Sequence, residues 1–379
     1  MFNTPEQFKN VYLHFPFCEA KCHYCDFFSL AENKTSSDQR QAIYLGIAHE
    51  LQSQADHLSP KLNTVFIGGG TPSLVPLAAL TKVLDLLIPR FTLSTEVTIE
   101  ANPSSISREK ADLWQRLGVN RVSMGVQALN DQRLSWLGRV HNVQEIYDAL
   151  EQLSISGMPR INIDYILGVP DQSIETIEIE LTDILRRFPN IQHVSAYLLT
   201  LKEGNPKYML LSDEETQLAH LHTARKILAE HGFEHYEISN FARPGGRSLH
   251  NENYWLGGGY LGIGPSAHSF WPLKNSRTKN INQLEKYIEL TARGAPPQEW
   301  TETLTTEQKR VEYLMLRLRR REGVSLEDYQ ALFGEDLTKT KGHQIDTAVQ
   351  QGLCQIDNRN LQLTAQGMFL SDEIIRFFI

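Results

Sequence analysis

Through the first two thirds of the chain, short β-branched or aromatic runs alternate with longer stretches whose apolar residues recur every three to four positions. The runs are Val11–Phe15, Thr64–Ile67, Glu96–Glu100, Arg121–Val126, Arg160–Ile166, His193–Leu198 and His235–Ser239. The amphipathic stretches between them are Asp38–Gln54, Leu77–Leu87, Arg108–Leu117, Val143–Ser156, Ile174–Phe188 and Glu214–Glu230. Strand followed by helix, repeated, predicts parallel βαβ units. Six or more such units predict an α/β fold with a full or partial (β/α) barrel. Polar or glycine-containing segments follow the strand ends, where such folds carry their ligand chemistry.

The texture changes after Ser239. Phe241–Phe270 is rich in Gly, Asn and aromatic residues and predicts an extended, barrel-closing insertion that faces a ligand. Ala292–Trp300 reads as a linker. From Thr305 the pattern predicts short helices over Gln308–Arg319, Ser325–Phe333 and Thr340–Gln351. A hairpin of Cys354–Asp357 with Leu361–Leu363 follows, and then a last helix over Ala365–Phe378. This order predicts a small winged-helix-like α+β unit. The expected organisation is a barrel core over 1–240, the insertion and linker over 241–300, and the C-terminal unit over 301–379.

Composition narrows the function. The 379 residues are 41% hydrophobic, enough to bury a real core and too many for a disordered chain. Lys plus Arg is 37 and Asp plus Glu is 45, a net charge of −8, which argues against a surface built to hold phosphate backbones. Nucleic acid is therefore not an expected partner, although a winged-helix nucleic-acid binder stays as the weakest alternative. The basic run Arg317, Arg319, Arg320 and Arg321 reads instead as the rim of a domain interface. The start MFNTPEQFKN lacks a basic, apolar leader pattern, and no stretch approaches the ~20 apolar residues of a membrane helix. A soluble, cytoplasmic protein is expected, with its thiols reduced.

Four cysteines are too few for a disulfide-stapled scaffold, yet three of them, Cys18, Cys22 and Cys25, fall within eight residues. The spacing is C-x3-C-x2-C, directly after the first strand. Structural zinc usually takes four ligands from paired knuckles, and no second knuckle exists here. Three thiolates suit a four-iron cluster whose fourth iron stays open. His14 and His23 read as hydrogen-bonding neighbours, and Cys354 as a buried structural cysteine.

C-x3-C-x2-C with an aromatic residue, Tyr24, before the third cysteine, on the loop after the first strand of a βα barrel, resembles the radical S-adenosylmethionine (SAM) superfamily. Within it the chain resembles the oxygen-independent coproporphyrinogen oxidase group, and most closely its haem-chaperone branch, over essentially the whole length. The resemblance implies a barrel of radical SAM type. It also implies a [4Fe-4S] cluster on Cys18, Cys22 and Cys25, with S-adenosylmethionine chelating the open iron and cleaved on one-electron reduction to methionine and a 5′-deoxyadenosyl radical. Gly69, Gly70 and Thr71 of Gly68-Gly69-Gly70-Thr71-Pro72 match cofactor-contacting positions, and so do Glu100, Gln127, Arg139 and Asp164. Tyr12 and Tyr24 match further lining positions. Leu198 and His268 occupy two more, where the oxidase has a different residue.

Two functions compete on that resemblance: a coproporphyrinogen III dehydrogenase, and a chaperone that binds haem and delivers it to an acceptor protein. Three features favour the chaperone. The oxidase has a fourth cysteine two residues beyond the third, where this chain has Phe27. The oxidase also carries an N-terminal extension, whereas here the first strand starts about ten residues in. Finally, His250-Asn251-Glu252-Asn253-Tyr254 reads H-N-x-x-Y, which resembles the haem-binding motif of the chaperone branch. Imidazole and phenolate both ligate haem iron. The alternative for His250 is loop hydrogen bonding, with Tyr254 packed on the barrel. Arg243 and Arg247 are candidates for the haem propionates. The resemblance implies a respiratory-chain or haem-storage protein as acceptor, and leaves open a homodimer and a peripheral membrane association through that acceptor.

Overall fold

The computed structural model describes residues 6–379; the first five, part of the leader reading, lie outside the described residues. Six strands alternate with helices as the pattern predicts, with one further short helix after the fourth strand that it does not. They are β1 (Asn10–Phe15), α1 (Ser37–Ser53), β2 (Thr64–Gly69), α2 (Leu77–Leu84), β3 (Glu96–Ala101), α3 (Arg108–Arg116), β4 (Arg121–Gln127), α4 (Asp131–Leu137), α5 (Val143–Ile155), β5 (Arg160–Leu167), α6 (Ile174–Arg187), β6 (Ile191–Leu198) and α7 (Glu214–Glu230). Ser36, Ser107, Asn130, Asn142, Ser173 and Asp213 each accept a hydrogen bond from the N–H three residues on, so the helix starts are set locally.

β1 to β6 pair parallel and in sequence order. One face of each strand packs under the helices: Val65, Ile67, Val97, Ile99, Val122, Met124, Ile161 and Ile163 are all buried. The opposite face lines the barrel interior. With helices on one side and the barrel interior on the other, β3, β4 and β5 alternate apolar with polar or small residues.

Both edges of the sheet depart from the sequence expectation. His235–Ser239 is not a strand. Glu234–His235 (β7) and Asn240–Ala242 (β8) form an antiparallel hairpin, and β8 pairs antiparallel with β6. The four residues between them are too few for a parallel crossover. At the other edge, Phe241–Phe270 is not an extended insertion. It contains α8 (Leu249–Trp255) and β9 (Leu261–Ile263), which pairs parallel with β1. A three-stranded antiparallel sheet of β10 (His268–Trp271), β11 (Ser276–Asn280) and β12 (Gln298–Thr303) follows, with α9 (Leu284–Ala292) between the last two. The linker reading of Ala292–Trp300 fails from Gln298 onward. β12 is almost wholly exposed, so it carries none of the apolar alternation that marks a strand. Glu50 of α1, fully buried, clasps this segment to the barrel: it accepts from Gly264 N–H (2.9 Å), Asn280 Nδ2 (2.6 Å) and Tyr287 O–H (2.6 Å).

The C-terminal unit comprises α10 (Thr306–Leu318), β13 (Val324–Ser325), α11 (Leu326–Phe333), α12 (Leu337–Thr340), α13 (Gly342–Gln350), β14 (Cys354–Asp357), β15 (Asn360–Leu363), α14 (Ala365–Phe369) and α15 (Ser371–Phe378). The third predicted helix thus appears as α13, preceded by the additional short α12, and the last is split at Leu370. β15 lies between β13 and β14, antiparallel to both. Leu314, Leu318, Val324, Leu361, Ile374 and Phe378 build a separate core, with Cys354 inside it. The basic run meets the rest of the molecule: Arg320 pairs with Glu252, and Arg321 with Glu234. Among the described residues no helix is long and apolar enough to cross a membrane.

Candidate cluster and cofactor site

The cysteine loop leaves β1 and is pinned by backbone bonds. Phe15 O accepts from Gly70 N–H (2.7 Å), Phe17 O from Thr71 N–H (2.8 Å), and Pro16 O from Leu30 N–H (2.8 Å). The glycine turn after β2 is therefore a clamp on the cysteine loop. A Cβ on Gly70 would lie 2.5 Å from Phe17 O, and one on Gly69, at φ +114°, would strike the His14 ring at 2.7 Å. These glycines thus give space to protein backbone and imidazole, and both also line the cavity of the cysteines. His14 itself is tied to the Tyr12 hydroxyl and to Phe28 O (2.9 Å each), so it is a neighbour of the loop and not a free ligand.

All three thiols line one cavity of about 150 Å³, together with Tyr24, Gly69, Gly70, Thr71, Glu100, Gln127, Arg139 and Asp164. Burial pushes the Cys18 and Cys25 thiols up, opposed at Cys18 by hydrogen bonds from Thr71 and Ser29. Thiolates there call for a positive partner. Among the described residues no three His, Cys, Asp or Glu side chains stand at the distances of a single metal ion. Three thiolates each bound to a different iron of a cluster need no common centre, so the donor set fits the cluster better than zinc.

Arg139 follows the left-handed Gly138 that ends α4, and it turns back into the cavity. Its Nη1 donates to Cys22 Sγ (3.5 Å) and its Nη2 to Asn102 Oδ1 (2.5 Å), while Nε is buried without a partner. Gln127 ends β4 in the left-handed region (φ 68°), a conformation that costs of order 1–3 kcal/mol outside glycine and clusters at functional sites. Glu100 accepts a single bond from Gly69 N–H (3.0 Å); burial, and then the Asp164 charge, push its pKa up to about 8. Burial also raises Asp164, against bonds from Asn162 and Ser195. Two buried acids beside one arginine suit a zwitterionic or cationic ligand that restores their charge.

A second cavity, about 300 Å³, continues into the barrel and shares Gly69, Glu100, Ser123 and Asp164 with the first. Tyr12, His250 and Tyr254 line this one. Leu198 lines neither. Register carries a polar ladder across the inner face: Ser123 pairs with Asn162, Asn162 with His193, and Asp164 with Ser195. Arg121, Ser123, Asn162, His193 and Ser195 were missed from the sequence. Their signal was a polar residue at every second position of strands that are otherwise apolar.

The description "Radical SAM superfamily" matches residues 12–184, and "HemN C-terminal domain" matches residues 304–370. The Heme chaperone HemW of Bacillus subtilis is 32% identical over 98% of this chain and 99% of its own length. That of Escherichia coli is 30% identical over 98% of each. This chain belongs to the HemW family. The solved coproporphyrinogen III oxidase HemN of Escherichia coli, a radical SAM enzyme by its description, superposes with a TM-score of 0.81 at 21% identity over 99% of this chain and 90% of that one, a likeness of fold.

Within this HemW-family chain the H-N-x-x-Y segment is helical, and its two candidate ligands face one another. Thr64 Oγ1 donates to Asn10 Oδ1 (3.0 Å), so it receives its bond (2.7 Å) from Nδ1–H of His250. That leaves Nε2 as the acceptor of the Tyr254 hydroxyl (2.8 Å). Burial lowers His250 to about 3 and raises Tyr254, so both are neutral. As folded, the imidazole lone pair is used and neither side chain presents an open ligand atom. Arg247 is likewise engaged by Glu234, Glu252 and Glu322, and Arg243 by Pro189 O and the Phe233 ring. Arg247 is thereby closed to a propionate, whereas Arg243 meets no carboxylate among the described residues.

Proposed function

We propose that the protein is a haem chaperone that carries a [4Fe-4S] cluster with exchangeable S-adenosylmethionine, binds haem and transfers it to an acceptor protein. Its full-length relatives bear the name heme chaperone, which supports haem as the cargo. Cys18, Cys22 and Cys25 would hold three irons, and the fourth would take the amino and carboxylate groups of S-adenosylmethionine. When bound, the cluster supplies one electron and an open Lewis-acidic iron. Glu100 would accept from the ammonium group, Arg139 would pair with the carboxylate, and Asp164 would accept from ribose hydroxyls, with Tyr12, Tyr24, Gly69, Gly70, Thr71 and Gln127 shaping the cavity.

The observation that carries the chaperone reading over the oxidase is Phe27. It stands where the oxidase has its fourth cysteine, and its ring is 66% exposed at the mouth of both cavities. The test is anaerobic incubation of reconstituted protein with coproporphyrinogen III, reductant and S-adenosylmethionine, beside a haem titration and transfer to a haem-free acceptor. Haem binding and transfer with no protoporphyrinogen IX is the expected result. Robust decarboxylation would refute the chaperone reading.

A further inference from the structure

Beyond Tyr254 lies a third cavity of about 770 Å³, larger than both barrel cavities together. It is a groove between the insertion and the C-terminal unit. One wall is built by Leu256, Tyr260, His268 and Phe270; the other by Lys309, Tyr313, Leu316 and Arg317 of α10 with Leu332 and Phe333 of α11. The α10 residues fall at i, i+4, i+7 and i+8, one helical face, while Leu314 and Leu318 are buried in the C-terminal core. Leu332 is 63% exposed and Leu256 42%, an apolar surface gathered from segments far apart in the chain.

The charges along this groove differ in commitment. Arg277 pairs with Glu312. Lys309 donates to Asn275 Oδ1 (3.3 Å), and Arg317 to Leu256 O (3.3 Å) while lying over the Tyr313 ring at 5.1 Å. Among the described residues neither Lys309 nor Arg317 meets a carboxylate. His268 stands exposed on the opposite wall, in contrast to the doubly bonded His250.

We propose that this groove holds the haem, with His268 ligating the iron and Lys309 and Arg317 receiving the two propionates. The inference rests on the haem-binding reading above and gives it a site. The volume lies in the ~300–1,000 Å³ range of ligand pockets. Aromatic and aliphatic walls suit the faces of a planar macrocycle, and two cations without acidic partners suit its two carboxylates. Burial and the nearby Lys279 and Arg277 charges lower the His268 pKa, which keeps the imidazole neutral and able to bind iron. Tyr254 lines both the groove and the barrel interior, so it becomes the wall between haem and cofactor, not a ligand.

The experiment is an anaerobic haemin titration of the full-length, cluster-reconstituted protein, followed in the Soret band, with metal-free protoporphyrin IX as a second probe. In the His268→Ala variant the Soret maximum shifts and haemin binds more weakly, while protoporphyrin IX, having no iron, binds as before. Lys309→Glu with Arg317→Glu weakens both probes by roughly 10- to 100-fold, with the haemin Soret position unchanged. His250→Ala leaves the Soret position of the bound haem in place wherever thermal unfolding shows the variant folded. If the His268 and Lys309/Arg317 variants bind haemin like the parent, with its spectrum, the groove assignment falls and haem binding stands. If the parent shows no saturable haemin binding, the haem reading falls and takes the groove with it.

Discussion

Gly70→Ala tests the clamp between the glycine turn and the cysteine loop. The new Cβ would sit 2.5 Å from Phe17 O and 2.8 Å from Phe17 C and N, all backbone atoms, where ordinary contact begins at 3.4 Å. About 0.9 Å must be found, and no flexible side chain is there to yield it. The bonds Thr71 N–H to Phe17 O and Gly70 N–H to Phe15 O tie both segments to β1 and β2, so the strain falls on the connection that leads into Cys18. Overpacking of this kind costs about 1–3 kcal/mol. Because the loop is the movable partner, much of that cost emerges as a displaced Cys18. The assay is iron and sulfide per chain after anaerobic reconstitution, with the unfolding midpoint measured beside it. Gly157→Ala is the control: its positive φ (+73°) strains any side chain, but nothing lies within 4 Å of its added Cβ. The variant at Gly70 should lose cluster out of proportion to its loss of stability, while the Gly157 variant loses only stability. Full cluster content in Gly70→Ala would refute the clamp.

Three further outcomes follow from buried charge. Glu100 is held protonated up to about pH 8, so the affinity of cluster-loaded protein for S-adenosylmethionine should rise with pH through that range and flatten in Glu100→Gln; a parent profile already flat from pH 6 to 9 would exclude Glu100 as the cation's partner. Burial raises Glu50 from 4.5 to about 7 in the folded protein, so the folded state binds more protons than the unfolded between those values, and its contribution to stability, complete below about pH 4.5, is lost as pH rises to 7. That slope amounts to at most about 3 kcal/mol; denaturant unfolding across pH should show Glu50→Gln to be less pH-dependent than the parent by up to this amount, and equal slopes would contradict the assignment. Arg133, paired with the buried Glu180 that also accepts from the Tyr165 hydroxyl, should on replacement by Met leave an uncompensated carboxylate and cost about 3–5 kcal/mol in chemical denaturation; a loss below 1 kcal/mol would mean that Glu180 simply takes up a proton.

Much of the barrel was legible because its determinants are local. Strands packed under helices must be apolar on that face, helices must be amphipathic, and Ser, Asn or Asp at the caps sets most helix starts, so six strands and the helices expected between them fall within two residues of expectation, except that α2 ends early and α4 is an additional helix. The cysteine spacing marked the candidate cluster loop, and Glu100, Gln127 and Asp164 were named through the family resemblance; the structure brings all three to the cavity of the cysteines. The inner ladder from Arg121 to Ser195 was legible in principle, since a polar residue at every second position of a doubly covered strand has only the barrel interior to face.

The sequence by itself thus determined the repeating α/β architecture and the position of the three-cysteine loop directly after its first strand, both of which follow from periodicity and spacing within one segment. Only the tertiary structure decided the rest. It made the chain reverse at Glu237 and returned β9 to the edge beside β1. It assigned the glycines to Phe17 and His14, and closed His250 on Tyr254 and Thr64. It also brought Lys309 and Arg317 across from His268. Each of these depends on which distant segment supplies the partner of a backbone group, an imidazole or an apolar face, and sequence-distant partners leave no period in the chain.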